Sequence, residues 1–341
     1  MSDISGKIEE IRRAWGDKLL ILGHHYQRSA VVAHADEAGD SLELARKAAA
    51  NRDVERIVFC GVHFMAESAD ILSGGEQTVY MPKTDAGCPM ADMADVAAME
   101  SAWDVLDARG GDWLPVVYVD STASIKAVCG RHGGSCCTSS NAAKVFQWAF
   151  DQGKRVFFLP DEHLGANSAH DLGISDSEVA IYDPTLPNGG LSDAEIDNAR
   201  VVVWKGFCIV HQAFSVEQIK TVREKMPGTK IIVHPESPKE SVRLCDAHGS
   251  TAQIIDYVNA AADGETIVIG TEFNLVQRLA DMHKDRLTVK ALKASVCSNM
   301  AKTSEESLLN LLQGWDENSI IRVKPEIAAE AKLSLERMLD I

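Results

Sequence analysis

Three cysteines occupy one kind of position in this chain. Cys88, Cys208 and Cys297 each lie in Gly/Ala/Ser-rich backbone just beyond a strand-like apolar run. They are too far apart for a zinc knuckle, which needs closely spaced Cys pairs. They also lack the tight clustering of ferredoxin-type motifs. Any one of them alone reads as a small buried hydrophobe. As a set, one per repeat, they fit a shared three-thiolate metal site. On a cubane iron–sulfur cluster, three thiolates leave one iron without a protein ligand. A metal with an open position acts as a Lewis acid toward substrate oxygens. Cys60, Cys129, Cys136, Cys137 and Cys245 read as structural.

A second group stands at the ends of apolar runs: His24, Tyr26, Tyr118, His234 and Glu236. These side chains can move protons or bind carboxylates, although a single His or Tyr there serves equally well in packing. Ser41, Ser139 and Thr251 open polar turns that lead into helical stretches. Hydroxyls and backbone N–H groups at a helix start hold phosphate or carboxylate; the competing reading is a plain N-cap. His34, His132, His170, His248 and His283 read as packing residues.

These residues need a scaffold, and the hydrophobic pattern supplies one. Ile4, Ile8, Ile11 and Trp15 fall at helical spacing. Short strands are expected at 18–22, 56–60, 78–81, 114–118, 155–159, 201–204, 230–233 and 266–270, with helical stretches between them. That alternation predicts α/β units with parallel sheets. In such sheets ligands bind at the carboxyl ends of the strands, where the polar residues gather. The pattern also repeats. Ser41 follows His24 by 17 residues, and Thr251 follows His234 by 17. Cys88 follows His24 by 64 residues, and Cys297 follows His234 by 63. From Tyr118 to Cys208 the distance is 90, with the excess expected near Gly130–Gly134 and within 165–197. We read three similar units, 1–105, 106–215 and 216–341, each presenting one cysteine. Packed around an axis, they would bring the three cysteines together.

Composition narrows the class. Against 34 Lys and Arg stand 50 Asp and Glu, a net charge of −16. An acidic chain without a basic run argues against nucleic acid and anionic membranes. The apolar runs are far shorter than a membrane span. The start, Met1-Ser2-Asp3-Ile4, has no signal-peptide pattern. The expected setting is the cytosol, with cysteines as thiols or metal ligands.

Specific segments then resemble the quinolinate synthase family, the A protein of bacterial NAD biosynthesis. They are Gly23-His24-His25-Tyr26-Gln27, Gly39-Asp40-Ser41-Leu42-Glu43-Leu44, Cys60-Gly61-Val62-His63-Phe64 and Ala86-Gly87-Cys88. Further on come Thr138-Ser139-Ser140-Asn141, Leu159-Pro160-Asp161, Trp204-Lys205-Gly206-Phe207-Cys208 with His211, His234-Pro235-Glu236, Gly249-Ser250-Thr251, Gly270-Thr271-Glu272 and Cys297 with Met300. The resemblance implies three α/β/α domains with pseudo-threefold symmetry around a [4Fe–4S] cluster held by Cys88, Cys208 and Cys297. It implies condensation of iminoaspartate with dihydroxyacetone phosphate to quinolinate, with loss of phosphate and two waters. Family substrate-binding positions fall on His24, Ser41, Tyr118, Asp120, Ser139, His234, Glu236 and Thr251; Tyr26 matches a tyrosine near the cluster. Glu236 is the expected acid/base group, assisted by Tyr26, His234 and Tyr118. The enzyme that makes iminoaspartate is the expected partner. The family usually has Asn where this chain has Asp120, and an ionised Asp cannot donate a hydrogen bond to a substrate carboxylate. His25 stands where the family often has Tyr or Asn. Ala291 and Ala294 replace cysteines that some members carry, so that thiol switch is absent. Two other readings stay open: a zinc- or iron-dependent aldolase or hydro-lyase with His234 and Glu236 as ligands, and a non-catalytic iron–sulfur sensor.

Overall fold

A computed structural model describes residues 3–51, 53–110 and 112–341; the reading of Met1 and Ser2 lies outside them. The described residues form three sheets, whose strands are parallel but for one pairing at the edge of the first. The first contains Leu19–His24, Glu37–Gly39, Arg56–Cys60 and Thr78–Tyr80. The second contains Trp113–Tyr118, Ser135–Cys137, Arg155–Leu159, Val179–Tyr182 and Val201–Trp204, and the third Lys230–Val233, Ala247–His248, Thr266–Gly270 and Thr288–Ala291. In each, the unit's first strand lies between its second and third. The strand preceding each cysteine comes next, beyond the third. Central strands such as Leu19–His24 and Trp113–Tyr118 are buried along their whole length. That burial is why they read as apolar runs and not as alternating ones.

The repeat reaches individual hydrogen bonds. Ile21 N–H donates to Asp36 Oδ2 at 2.7 Å, and Ile231 N–H donates to Asp246 Oδ2 at 2.7 Å. The surplus in the second unit lies in both expected places. Its first helix, Ala123–Arg131, runs nine residues where Ser29–Val32 and Lys239–Val242 run four. Within 165–197 stand an additional strand, Val179–Tyr182, and the helix Asp193–Asn198.

The end of the chain departs from a simple three-part division. Residues from 305 onward, expected with the third unit, pack on the other two. Helix Glu305–Gly314 places Leu308, Leu309, Leu311 and Leu312 in a core shared with Ile8 of the opening helix, Asp3–Trp15. Strand Ile320–Ile321 pairs antiparallel with Thr78–Tyr80. Helix Pro325–Asp340 then lies on Ala123–Arg131, burying Ala331, Leu335 and Met338 in the second unit's core. The apolar faces of these helices show that they are buried, but periodicity says nothing about which unit buries them.

Candidate active site

Each unit sends the same three features into one cavity. The first is the end of its first strand, at the point where the sheet order reverses and ligands are expected. There His24 and Tyr26, Tyr118 and Asp120, and His234 and Glu236 form equivalent pairs two residues apart, all lining the cavity. Tyr26 N–H donates to His24 Nδ1 at 3.1 Å, and Glu236 N–H donates to His234 Nδ1 at 3.3 Å. Both imidazoles, when neutral, therefore carry their proton on Nε2. Burial holds His24 well below the usual histidine range and His234 at about 3.

The second feature is the start of the helix after the second strand. Ser41, Ser139 and Thr251 line the cavity there. The N-cap reading needs a correction of one position: Asp40 and Ser250 are the caps, each in a capping box. Ser41 and Thr251 are the first helical residues, and Ser139 lies in the turn ahead of Ala142–Asp151. With the capping done by their neighbours, these hydroxyls remain available to other partners. Ser41 hydrogen-bonds to Asp120, and Thr251 Oγ1 donates to Tyr26 Oη at 3.1 Å. The three helix starts also meet behind them. Ser140 Oγ lies 2.8 Å from Asp40 Oδ2 and 2.9 Å from Ser250 Oγ. The aligned dipoles at these starts favour an anion.

The third feature is the cysteine loop, built alike three times. Backbone N–H groups two and three residues on point at each sulfur: Met90 and Ala91 at Cys88, Val210 and His211 at Cys208, Asn299 and Met300 at Cys297. Each loop is also tied to the helix behind it. His63 N–H donates to Ala86 O, Glu162 N–H to Gly206 O and Phe273 N–H to Ser295 O, all at 2.8 Å. All three cysteines line the cavity, beside Phe64, Met65, Met90, Ile209 and Met300. Burial pushes all three thiols above their ordinary range. The other five cysteines are free thiols away from the cavity.

Hydrogen bonds link the catalytic candidates across units. Tyr26 Oη lies 2.8 Å from Thr271 Oγ1, which lies 3.0 Å from His211 Nε2. His211 Nδ1 bonds Glu236 Oε2, and the His211 and His234 rings stack at 4.2 Å between centroids. Burial alone would raise the Glu236 pKa. The imidazoles of His211 and His234, with hydrogen bonds from His211 and Tyr118, outweigh it and hold the carboxyl at about 2. Burial, and then Asp120 and Glu236, push Tyr118 well above the usual tyrosine range; burial and Glu236 do the same for Tyr26. Burial and the Glu236 carboxylate also push Asp120 well up, against the pull of Lys126 and the bond from Ser41. An ionised base thus sits among groups that keep their protons, the separation that acid/base work requires.

Every residue that the sequence marks for binding, proton transfer or metal ligation lines this cavity. Sequence reasoning gave no role to His211 and Thr271, which join Tyr26 to Glu236, or to Arg278. The Arg278 guanidinium donates to His25 O at 2.5 Å and Gln27 O at 3.2 Å, bracketing Tyr26. His211 could have been found from its place three residues after Cys208; Arg278, mid-helix, carried no such mark. Cys208, His211 and Glu236 offer ligand atoms within 4.8 Å of one another. Both His211 nitrogens are already engaged, however, by Glu236 and Thr271.

Comparison with known proteins matches residues 6–340 to the family described as quinolinate synthetase A protein. The chain is 46% identical over 345 residues to a quinolinate synthase of Lysinibacillus sphaericus, covering 99% of this chain and 94% of that one. It is 45% identical over 346 residues to one from Corynebacterium glutamicum, covering 99% and 88%. To the Bacillus subtilis enzyme of the same name it is 44% identical over 345 residues, covering 99% and 93%.

Proposed function

The chain belongs to the quinolinate synthetase A protein family, and from that premise we propose that it makes quinolinate. The substrates are iminoaspartate and dihydroxyacetone phosphate; phosphate and two waters leave as the pyridine ring closes. The observation that carries this reading is the threefold cysteine loop. Three sulfurs with two N–H donors each open on one cavity. N–H donors favour thiolates whereas burial disfavours them, and a metal centre shared by the three resolves that conflict. Cys88, Cys208 and Cys297 would hold a [4Fe–4S] cluster. When bound, it supplies a Lewis-acidic iron able to take a leaving hydroxyl.

The protein's own groups account for the rest. The helix starts at Ser41 and Thr251, with the turn at Ser139, suit the phosphate and carboxylates of the substrates. His24 and His234, each donating from Nε2, suit carboxylate or keto oxygens. Glu236, held ionised, takes a proton from carbon next to a carbonyl. Tyr118 and Tyr26 keep their protons and donate to developing oxyanions. Asp120, held neutral, has an O–H to donate where the family's Asn has N–H. The buried surroundings of Glu236, His234 and Tyr118 exclude water from the reacting atoms.

None of the eight cysteines is paired in a disulfide, which suits the cytosol. Among the described residues no helix is long and apolar enough to cross a membrane. Iminoaspartate is unstable, so the enzyme that produces it is the partner we infer. Anaerobically purified protein given both substrates should release quinolinate, read by chromatography. Consumption of dihydroxyacetone phosphate with its phosphate ester retained and no quinolinate formed would contradict the reading and favour an aldolase or hydro-lyase.

A further inference from the structure

The position two residues beyond each third strand caps the helix that follows. In the first unit it is Val62, before His63–Ser73; in the second Asp161, before Glu162–Asp171; in the third Glu272, before Phe273–His283. Asp161 and Glu272 have no solvent exposure. Burying a carboxyl is costly unless its oxygens are satisfied. Each carboxyl group divides its oxygens in the same way. Asp161 Oδ1 accepts from Leu164 N–H at 2.7 Å and Oδ2 from Cys208 N–H at 3.2 Å. Glu272 Oε2 accepts from Asn274 N–H at 2.7 Å, and Oε1 from Cys297 N–H at 3.3 Å and from Asn274 Nδ2 at 2.9 Å. One oxygen therefore starts a helix while the other holds the backbone of a cavity cysteine. Asp and Glu differ by a methylene, yet both reach the same N–H in equivalent loops, so the contact is more than incidental capping. Val62 offers no side-chain acceptor, so no carboxylate holds the Cys88 N–H; that loop is tied instead by the His63 N–H to Ala86 O and by Lys302 to Asp85.

We propose that Asp161 and Glu272 are positioning residues for the metal centre, fixing Cys208 and Cys297 from behind and leaving Cys88 as the more loosely held ligand. This rests on the reading that the three cysteines hold a cluster. Such outer contacts orient ligands and set how firmly a metal is kept.

The test is the rate at which a ferrous chelator strips iron from anaerobically purified holoenzyme. Asp161→Asn and Glu272→Gln keep the shape but place an NH2 where one N–H needs an acceptor. Each should release iron about tenfold faster than wild type. Asp95→Ala is the control. It removes an ordinary cap, the one accepting from Ala98 N–H at 2.9 Å on helix Val96–Asp107, and should leave the release rate unchanged. If Asp161→Asn does not accumulate as folded protein, Glu272→Gln reads the same contact in the third unit. Wild-type rates in the folded variants, or equal acceleration by Asp95→Ala, would overturn the proposal. A wild-type chain without iron and sulfide would remove its premise and overturn it too.

Discussion

At the scale of single residues, the cavity depends on groups of similar type being driven apart by their surroundings. Glu236 is ionised among His211, His234 and Tyr118, while Asp120 is kept neutral nearby. Glu236→Gln should lower turnover by about 100-fold or more, the size of a lost general base, with iron content unchanged. Near-normal turnover or loss of iron would reject the role. The Asp120 shift has a signed consequence for stability. Its folded pKa lies above the unfolded value, so the folded chain binds more protons over that interval and stability falls as pH rises. Asp120→Asn does not titrate. Its melting temperature relative to wild type should therefore rise as the pH is raised above about 4, the unfolded value; an offset constant with pH would contradict this. The residues legible in the sequence were those set at strand ends or inside distinctive segments. His211 and Thr271 stand in such segments too but were given no role, because their importance comes from meeting Tyr26 and Glu236 across unit boundaries.

Elements set where those residues point. The strands were legible because parallel strands buried on both faces leave continuous apolar runs. Helix starts were legible to within one residue in the first and third units, and that residue mattered, since capping by Asp40 and Ser250 releases Ser41 and Thr251 for the cavity. The tail was not legible as an inter-unit brace. Helix Pro325–Asp340 lies so close to Ala123–Arg131 that a Cβ on Gly130 would sit 2.0 Å from Glu330 O. Ser334 Oγ donates to Lys126 O at 2.9 Å beside that contact. Gly130→Ala should therefore cost about 1–3 kcal/mol, as overpacking does. Thermal denaturation would register it as a lowered melting temperature; an unchanged one would mean that the tail helix does not bear on the second unit.

Over the whole molecule, the repeat explains how residues some 200 positions apart reach one site. The offsets of 17 residues already linked the first and third units in sequence. The second was obscured by a longer first helix and an extra edge strand, neither of which disturbs the order of its other strands. With three sheets of one design, the same loop delivers Cys88, Cys208 and Cys297, and the same strand end delivers the His–Tyr, Tyr–Asp and His–Glu pairs. The central claim is that these three thiols hold an iron–sulfur cluster. Its most direct test is iron and acid-labile sulfide per chain in protein purified without oxygen. About four of each, falling together in Cys88→Ala, Cys208→Ala and Cys297→Ala variants, is the expected result. Zinc, or iron without sulfide, persisting after attempted reconstitution would contradict it.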